Sequence, residues 1–348
     1  MKKQLLTLIL VLIVSFGANA QTDSTSAPLE ISGSIDAYYK YDFSKNANIP
    51  TSFATDQNSI SLGMIDIALK KKTGKSSFVG ELSFGPRGQG QSILPGDGGT
   101  SSFHIQNLYA SYAFTDKFSM TAGFMGTFIG YEVISPVGNF NYSTSYLFTN
   151  GPFQNAGIKA NYAISDKVGV MVGLFNDSWN SYTANPSFGV NAIGGQLTIS
   201  PVEGWTAYLN VLTGSECGTI YDLTTAYQIT SKFKLGLNGA DFSGIGNDEG
   251  YTGVALYPSF NVSDAFALGL RGEYFKGKKN SAYDAVPSGP AADESVTALT
   301  LTANLKSGGL TFIPEFRLDN GSANMFLKEN GMPTKSASQL SLAVVYAF

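Results

Sequence analysis

The sequence has little of what enzymes and metal sites need. It holds one histidine, His104, and one cysteine, Cys217, in 348 residues. A lone cysteine forms no disulfide within the chain, and no paired Cys or His offers a zinc or haem site. A Ser-His-acid triad would have to use His104, and no motif ties a serine or an acid to it. Charge is scarce too, at 14% Asp, Glu, Lys and Arg where roughly 25% is usual. After Phe16 no apolar run approaches the ~20 residues that a membrane helix needs. Residues 244–250 fit a GxGxxxG string, but no helical pattern follows, so no nucleotide cradle is expected. Residues 96–99 and 247–249 carry oxygen groups that calcium could take, and turn chemistry explains them equally well. No metal or cofactor is expected.

Residues 1–20 read as a signal peptide. Lys2 and Lys3 open it, an apolar run spans Leu5 to Phe16, and Ala18-Asn19-Ala20 fits a small-residue cleavage site. Cleavage there leaves 20 basic against 26 acidic side chains, a formal charge of −6. That balance argues against nucleic acid as a partner. A short polar segment, residues 21–28, follows. The remainder is rich in rings and glycine, with 13% aromatics and 39 Gly. Few charges, many rings and many glycines suit a sheet with lipid on one side.

The last ten residues set the pattern. Leu340, Leu342, Val344, Tyr346 and Phe348 are apolar at every second position, with Ser341, Ala343, Val345 and Ala347 between them. A period of two makes a strand with one oily face. With no chain left to cover that face, the stretch fits the closing strand of a barrel in lipid. The terminal Phe is similar to the signal that outer-membrane assembly machinery reads.

The alternation recurs from residue 29 onward. Short turns are expected at 72–75, 115–117, 165–167, 201–204, 230–232, 263–264 and 307–309, where Asp, Ser and Gly favour local hydrogen bonds and positive φ. Long polar connections fall near 44–56, 86–101, 131–152, 177–189, 214–218, 243–249, 277–294 and 320–337. Seven turns alternating with eight loops predict about sixteen strands with both chain ends on the turn side. The expected fold is therefore all-β. It is a transmembrane antiparallel up-and-down β-barrel over residues 29–348, with short periplasmic turns and long extracellular loops. Lipid requires closure, because no sheet edge stays unpaired there. Three places strain the ladder. Residues 59–70 change parity, which a bulge near Met64 would reconcile; Pro258 and Pro314 each remove a ladder donor.

On the oily face, Tyr39, Tyr41, Tyr112, Phe114, Tyr346 and Phe348 sit toward strand ends, where rings form interfacial girdles against the bilayer. The opposite face carries Asp36, Lys40, Asp66, Glu81, Lys159, Asp222, Lys234, Arg271, Glu273, Glu315 and Arg317. These are the expected pore-lining residues. A barrel of this size encloses water, which would spare such charges the cost of a dry interior. Their near balance predicts weak ionic selectivity. The loop 131–152 is long and unusually aromatic. It is expected to fold inward as a constriction loop, with Tyr131, Glu132, Asn141, Tyr142 and Tyr146 narrowing the lumen.

In that region the stretches Gly123-Phe-Met-Gly-Thr-Phe-Ile-Gly-Tyr-Glu132, Asn141-Tyr-Ser-Thr-Ser-Tyr-Leu-Phe148, Gly151-Pro-Phe153 and Gly157 resemble the OmpL-like putative β-barrel porin family of Gram-negative outer membranes. The resemblance implies a porin-type barrel in the bacterial outer membrane, with a homotrimer as one known arrangement at this size. The expected function is passive diffusion of small hydrophilic solutes through a water-filled lumen, with no catalysis. The alternative is a structural or adhesive barrel with a plugged lumen and loop-mediated binding.

Overall fold

The computed structural model describes residues 27–49, 51–89, 105–176, 183–246, 248–280 and 288–348. The signal peptide, the segment at 96–99, His104 and Asn247 lie outside these residues.

Strands follow one another along the chain. They are β1 (Glu30–Asp42), β2 (Ser59–Thr73), β3 (Ser76–Phe84), β4 (Ile105–Ala113), β5 (Phe118–Gly126) and β6 (Gln154–Ser165). Next come β7 (Val168–Asn176), β8 (Val190–Ile199), β9 (Trp205–Gly214), β10 (Gly218–Gln228), β11 (Phe233–Ser243) and β12 (Gly250–Ser263). The chain ends with β13 (Phe266–Gly277), β14 (Ser295–Ser307), β15 (Leu310–Gly321), the two-residue β16 (Phe326–Leu327) and β17 (Pro333–Thr334), and β18 (Ser336–Ala347). Sixteen of these close into one antiparallel barrel, each pairing with its sequence neighbours and β18 returning to β1; β16 and β17 form a small separate ribbon. At the seam Tyr39 faces Leu342 and Tyr41 faces Leu340. Phe348 exchanges both backbone hydrogen bonds with Gly33, at 3.0 and 3.1 Å. The shortest barrel strands have nine residues, about the minimum for a tilted crossing.

The period of two becomes two faces. On β1, Ile31, Ile35 and Tyr39 are exposed while Ser34, Asp36, Tyr38, Lys40 and Asp42 are buried. On β18, Leu340, Leu342 and Tyr346 are exposed while Gln339, Ser341, Ala343 and Val345 are buried. Large apolar side chains thus face outward and polar ones inward, the reverse of a soluble fold.

The seven expected turns all join adjacent strands on one side of the barrel. One loop departs from expectation. The β9–β10 connection holds only Ser215, Glu216 and Cys217, so it is as short as the turns opposite. Gly218, at φ +70°, supplies the left-handed residue that lets the chain reverse at once. The expected bulge is present: Ile35 faces Ile65 but Ala37 faces Leu62. Inside it the Met64 amide donates to the Asp36 carboxylate at 2.8 Å. The prolines interrupt the ladder without moving it. Pairing skips Tyr257 and Pro258 between β12 and β13, and Ile313 and Pro314 between β14 and β15, yet the register on either side is unchanged.

Candidate functional site

Between β5 and β6 the chain leaves the wall and folds against the inward side chains of the opposite strands. The backbone of residues 142–145 is irregular and leads into one helical turn, so its polar groups need partners. Charged side chains of the wall supply them. Tyr142 and Ser143 amides donate to Glu315, at 3.0 and 3.2 Å. Tyr146 and Leu147 amides donate to Glu273, at 2.9 and 2.8 Å. These last two begin the helical turn Tyr146–Asn150, whose first amides have no partner within the turn. The carbonyls are met by guanidinium groups. Arg271 donates to the Ser143 carbonyl at 2.5 Å and to the Thr144 carbonyl at 3.2 Å. Arg317 donates to the Thr144 carbonyl at 2.8 Å.

Ion pairs complete the assembly. Arg271 bonds Glu132 at 2.7 Å, and the other Glu132 oxygen accepts from the Ser145 amide and hydroxyl. Arg317 and Asp319 form a two-bond pair at 2.8 and 2.9 Å, and both are fully buried. The Tyr142 hydroxyl donates to Asp36 at 2.5 Å and the Tyr146 hydroxyl to Asp319 at 2.8 Å. Burial raises both phenols above their ordinary pKa, so each stays a neutral donor to its carboxylate.

Packing fixes the same segment. Ile129, Tyr146 and Leu147 join an apolar cluster with Phe175, Leu212, Ile220, Phe242, Tyr251 and Phe275 of the wall. Several inward wall positions are glycine where the segment's large side chains press. A Cβ on Gly236 would overlap Tyr131, on Gly269 Phe140, on Gly253 Leu147 and on Gly194 Phe128. Tyr131 also stacks on Tyr257, with centroids 4.4 Å apart. Two further loops meet the segment. Arg87 lies between the rings of Phe53 and Tyr142, at 4.5 and 4.6 Å, and donates to the Ile134 and Tyr142 carbonyls. It is 1% exposed and forms no ion pair with a described residue.

The charges expected to face the lumen fall into distinct settings. Asp36, Arg271, Glu273, Glu315 and Arg317 are buried and bonded to the segment, and Lys40 is buried beside them on β1. The sequence reading gives water as their partner; the structure gives protein, because an irregular backbone brought against the wall needs their donors and acceptors. Asp66 and Asp222 are buried too. Asp66 accepts from Ser34, and Asp222 from Asn210, Asn238 and the Gly130 amide. Only Glu81 and Lys159 are half-exposed, and only Lys234 is exposed. Near Lys159 a cavity of about 420 Å³ runs along β4–β6, bordered by Asn107, Tyr109, Ser111, Thr121 and Asn161. Of the rings expected at the membrane, Tyr39, Tyr112, Phe114, Tyr346 and Phe348 are exposed, and Tyr41 is partly so.

Sequence reasoning passed over Asp319 and Arg87. Asp319 stands two residues after Arg317, so the strand period already puts both on one face. Arg87 belongs to a single helical turn, Pro86–Gln89, in the β3–β4 connection, too short for any period to mark it.

The chain matches the model of a family described as putative beta-barrel porin-2, OmpL-like, over residues 28–348. Among solved structures it is similar to outer-membrane expressed OmpT of Vibrio cholerae, with 11% identity, a TM-score of 0.54, and coverage of 94% of this chain and 99% of that one. The trimer form of in-vitro folded OmpT from the same organism gives 12% identity, a TM-score of 0.56, and coverage of 93% and 99%. A mutant of the Rh. blastica porin gives 13% identity, a TM-score of 0.53, and coverage of 92% and 100%. At such identities the likeness is one of fold. No curated protein sequence matches the chain.

Proposed function

The chain belongs to the putative beta-barrel porin-2, OmpL-like family, and from that premise we propose that it is an outer-membrane porin passing small hydrophilic solutes by diffusion. The route runs along the β3–β7 wall, past a segment, residues 131–152, that fills the opposite side and narrows the lumen. One observation carries this reading. The segment's charged contacts reach β1, β13 and β15, while Glu81, Asn107, Tyr109, Lys159 and Asn161 keep part of their surface in solvent. Passive flux needs water beside such polar groups and no reacting residue. The signal peptide 1–20 directs export, and β18 with its terminal Phe348 is the part that the assembly machinery reads. The trimer form among the similar structures supports a trimer here.

Planar-bilayer recording of the refolded mature chain tests the reading. Deleting residues 139–145 should raise single-channel conductance, and an unchanged conductance removes the narrowing role. The apolar cluster around Tyr146 and Phe275 favours one rival, a plugged barrel that binds partners through its loops. An inserted wild-type barrel with no conductance and no swelling of liposomes in small sugars would select that rival.

A further inference from the structure

Below the segment, toward the turns, lies a second cavity of about 540 Å³. Three charged residues border it: Glu132, Lys234 and Lys306. Glu132 is spent, since one oxygen holds Arg271 and the other holds Ser145. The amides along the border are largely spent as well. Asn139 donates to the Val133 carbonyl, Asn141 to Thr302 and Asn304 to the Phe140 carbonyl. The two lysines are different. Lys234 and Lys306 are exposed and form no ion pair with a described residue. An adjoining recess at the mouth adds Lys232 and one acid, Asp264. The turn-side chamber therefore holds uncompensated positive charge within a chain whose mature formal charge is −6.

We propose that this chamber is a collecting site for small oxyanions, with Lys234 and Lys306 as its poles. The inference deepens the porin reading and rests on it for the solute's onward path. Free ammonium groups attract carboxylate and phosphate alike, because each is a compact charge with no planar fork to match. Both lysines are exposed, so attraction is weak and selects by charge rather than shape. A low-dielectric wall around it focuses the field. Anions should thus be enriched at the turn-side mouth although the mature chain is acidic.

Reversal potentials across a salt gradient at 0.1 M test this. Replacing both residues, Lys234→Gln with Lys306→Gln, should lower the anion-to-cation permeability ratio by about threefold, as expected when two charges are removed from the turn-side mouth at a Debye length of about 10 Å. The Arg replacements at both positions should keep the wild-type ratio. Inorganic phosphate or succinate added on the turn side should reduce chloride current in the wild type and not in the Gln pair; which of the two acts at lower concentration names the preferred oxyanion. Equal ratios in wild type and Gln pair overturn the proposal. If the wild type does not conduct, the porin reading fails and the site is read separately by amine acylation of the folded barrel. Protection of Lys234 and Lys306 by phosphate or succinate, but not by a neutral sugar, upholds the site; no protection by either anion overturns it.

Discussion

Two parts of the inner wall carry charge to opposite ends. Along β1, β13 and β15 the inward charges are dry, and Asp36, Arg271, Glu273, Glu315, Arg317 and Asp319 each meet a backbone group, a ring hydroxyl or an opposite charge. Along β3–β6, Glu81 bonds only Asn107 among the described residues at 2.5 Å, and Lys159 keeps part of its surface in solvent beside a cavity. The same residue types, at the same strand period, serve as receptors for a folded-in backbone on one side and as groups for water on the other. Inward charge in a barrel therefore does not by itself mean a wet lining. What decides is whether irregular backbone lies within reach, since unsatisfied amides and carbonyls away from water are costly.

The largest difference between the two walls should appear in stability. Arg271→Ala leaves Glu132 buried without its cation, strips the Ser143 carbonyl and leaves the Thr144 carbonyl to Arg317 alone. The cost should be about 3–5 kcal/mol, as for breaking a buried pair from one side. Lys159→Ala should stay within ~0.5 kcal/mol. Urea titration of the folded barrel in lipid measures both, and equal losses would erase the distinction. A smaller effect follows at Glu273. Glu273→Ala frees the two amides that open the Tyr146–Asn150 turn, which should cost about 1–3 kcal/mol. In bilayers the open-channel current should become noisier as the turn loosens; a quiet trace at wild-type conductance would show that the turn is held without it.

The barrel is legible in the sequence because lipid imposes a period of two on every crossing. Leu340 to Phe348 shows it without any partner being known. The turns are legible because Asp, Ser and Gly mark them locally. The segment's docking is not legible, because its bonds join residues far apart in the chain. Glu132 and Arg271 are 139 positions apart, and Tyr142 and Glu315 are 173 apart. Its length and ring content signal that residues 131–152 are unusual. Nothing local says that the inward glycines 236, 253 and 269 are the surfaces its side chains need, since a strand glycine reads equally well as a bulge or a weak point. The apolar inward residues Leu212, Ile220 and Phe275 were hidden for a similar reason: an apolar residue on the polar parity reads as noise until a neighbour such as Tyr146 is placed on it.

Those glycines give a sharper test at lower cost to the fold. Gly236→Ala and Gly269→Ala insert a methyl where Tyr131 and Phe140 already lie. Each should destabilise by about 1–3 kcal/mol, the usual penalty for overpacking. Gly80→Ala on β3 is the control on the outward parity, because no atom beyond its chain neighbours lies within 4 Å of the added methyl. It should be neutral or nearly so. If all three variants unfold at the same urea concentration, the ring-on-glycine contacts do not hold the segment.

The smallest structural effect, and the one that separates the walls by function, belongs to Lys159. Lys159→Glu puts two units of charge change beside the cavity along β4–β6 and touches no bond of the docked segment. Stability should not move measurably. The cation-to-anion permeability ratio should rise about twofold at 0.1 M salt and return toward the wild-type value at 1 M, where the Debye length falls to about 3 Å. The equivalent reversal at Arg317 would unfold the pair with Asp319 rather than retune flux, so it offers no comparable reading. A Lys159→Glu channel with unaltered selectivity at low salt would mean that ions do not pass along β3–β7, and the open wall would then be a cleft rather than a path.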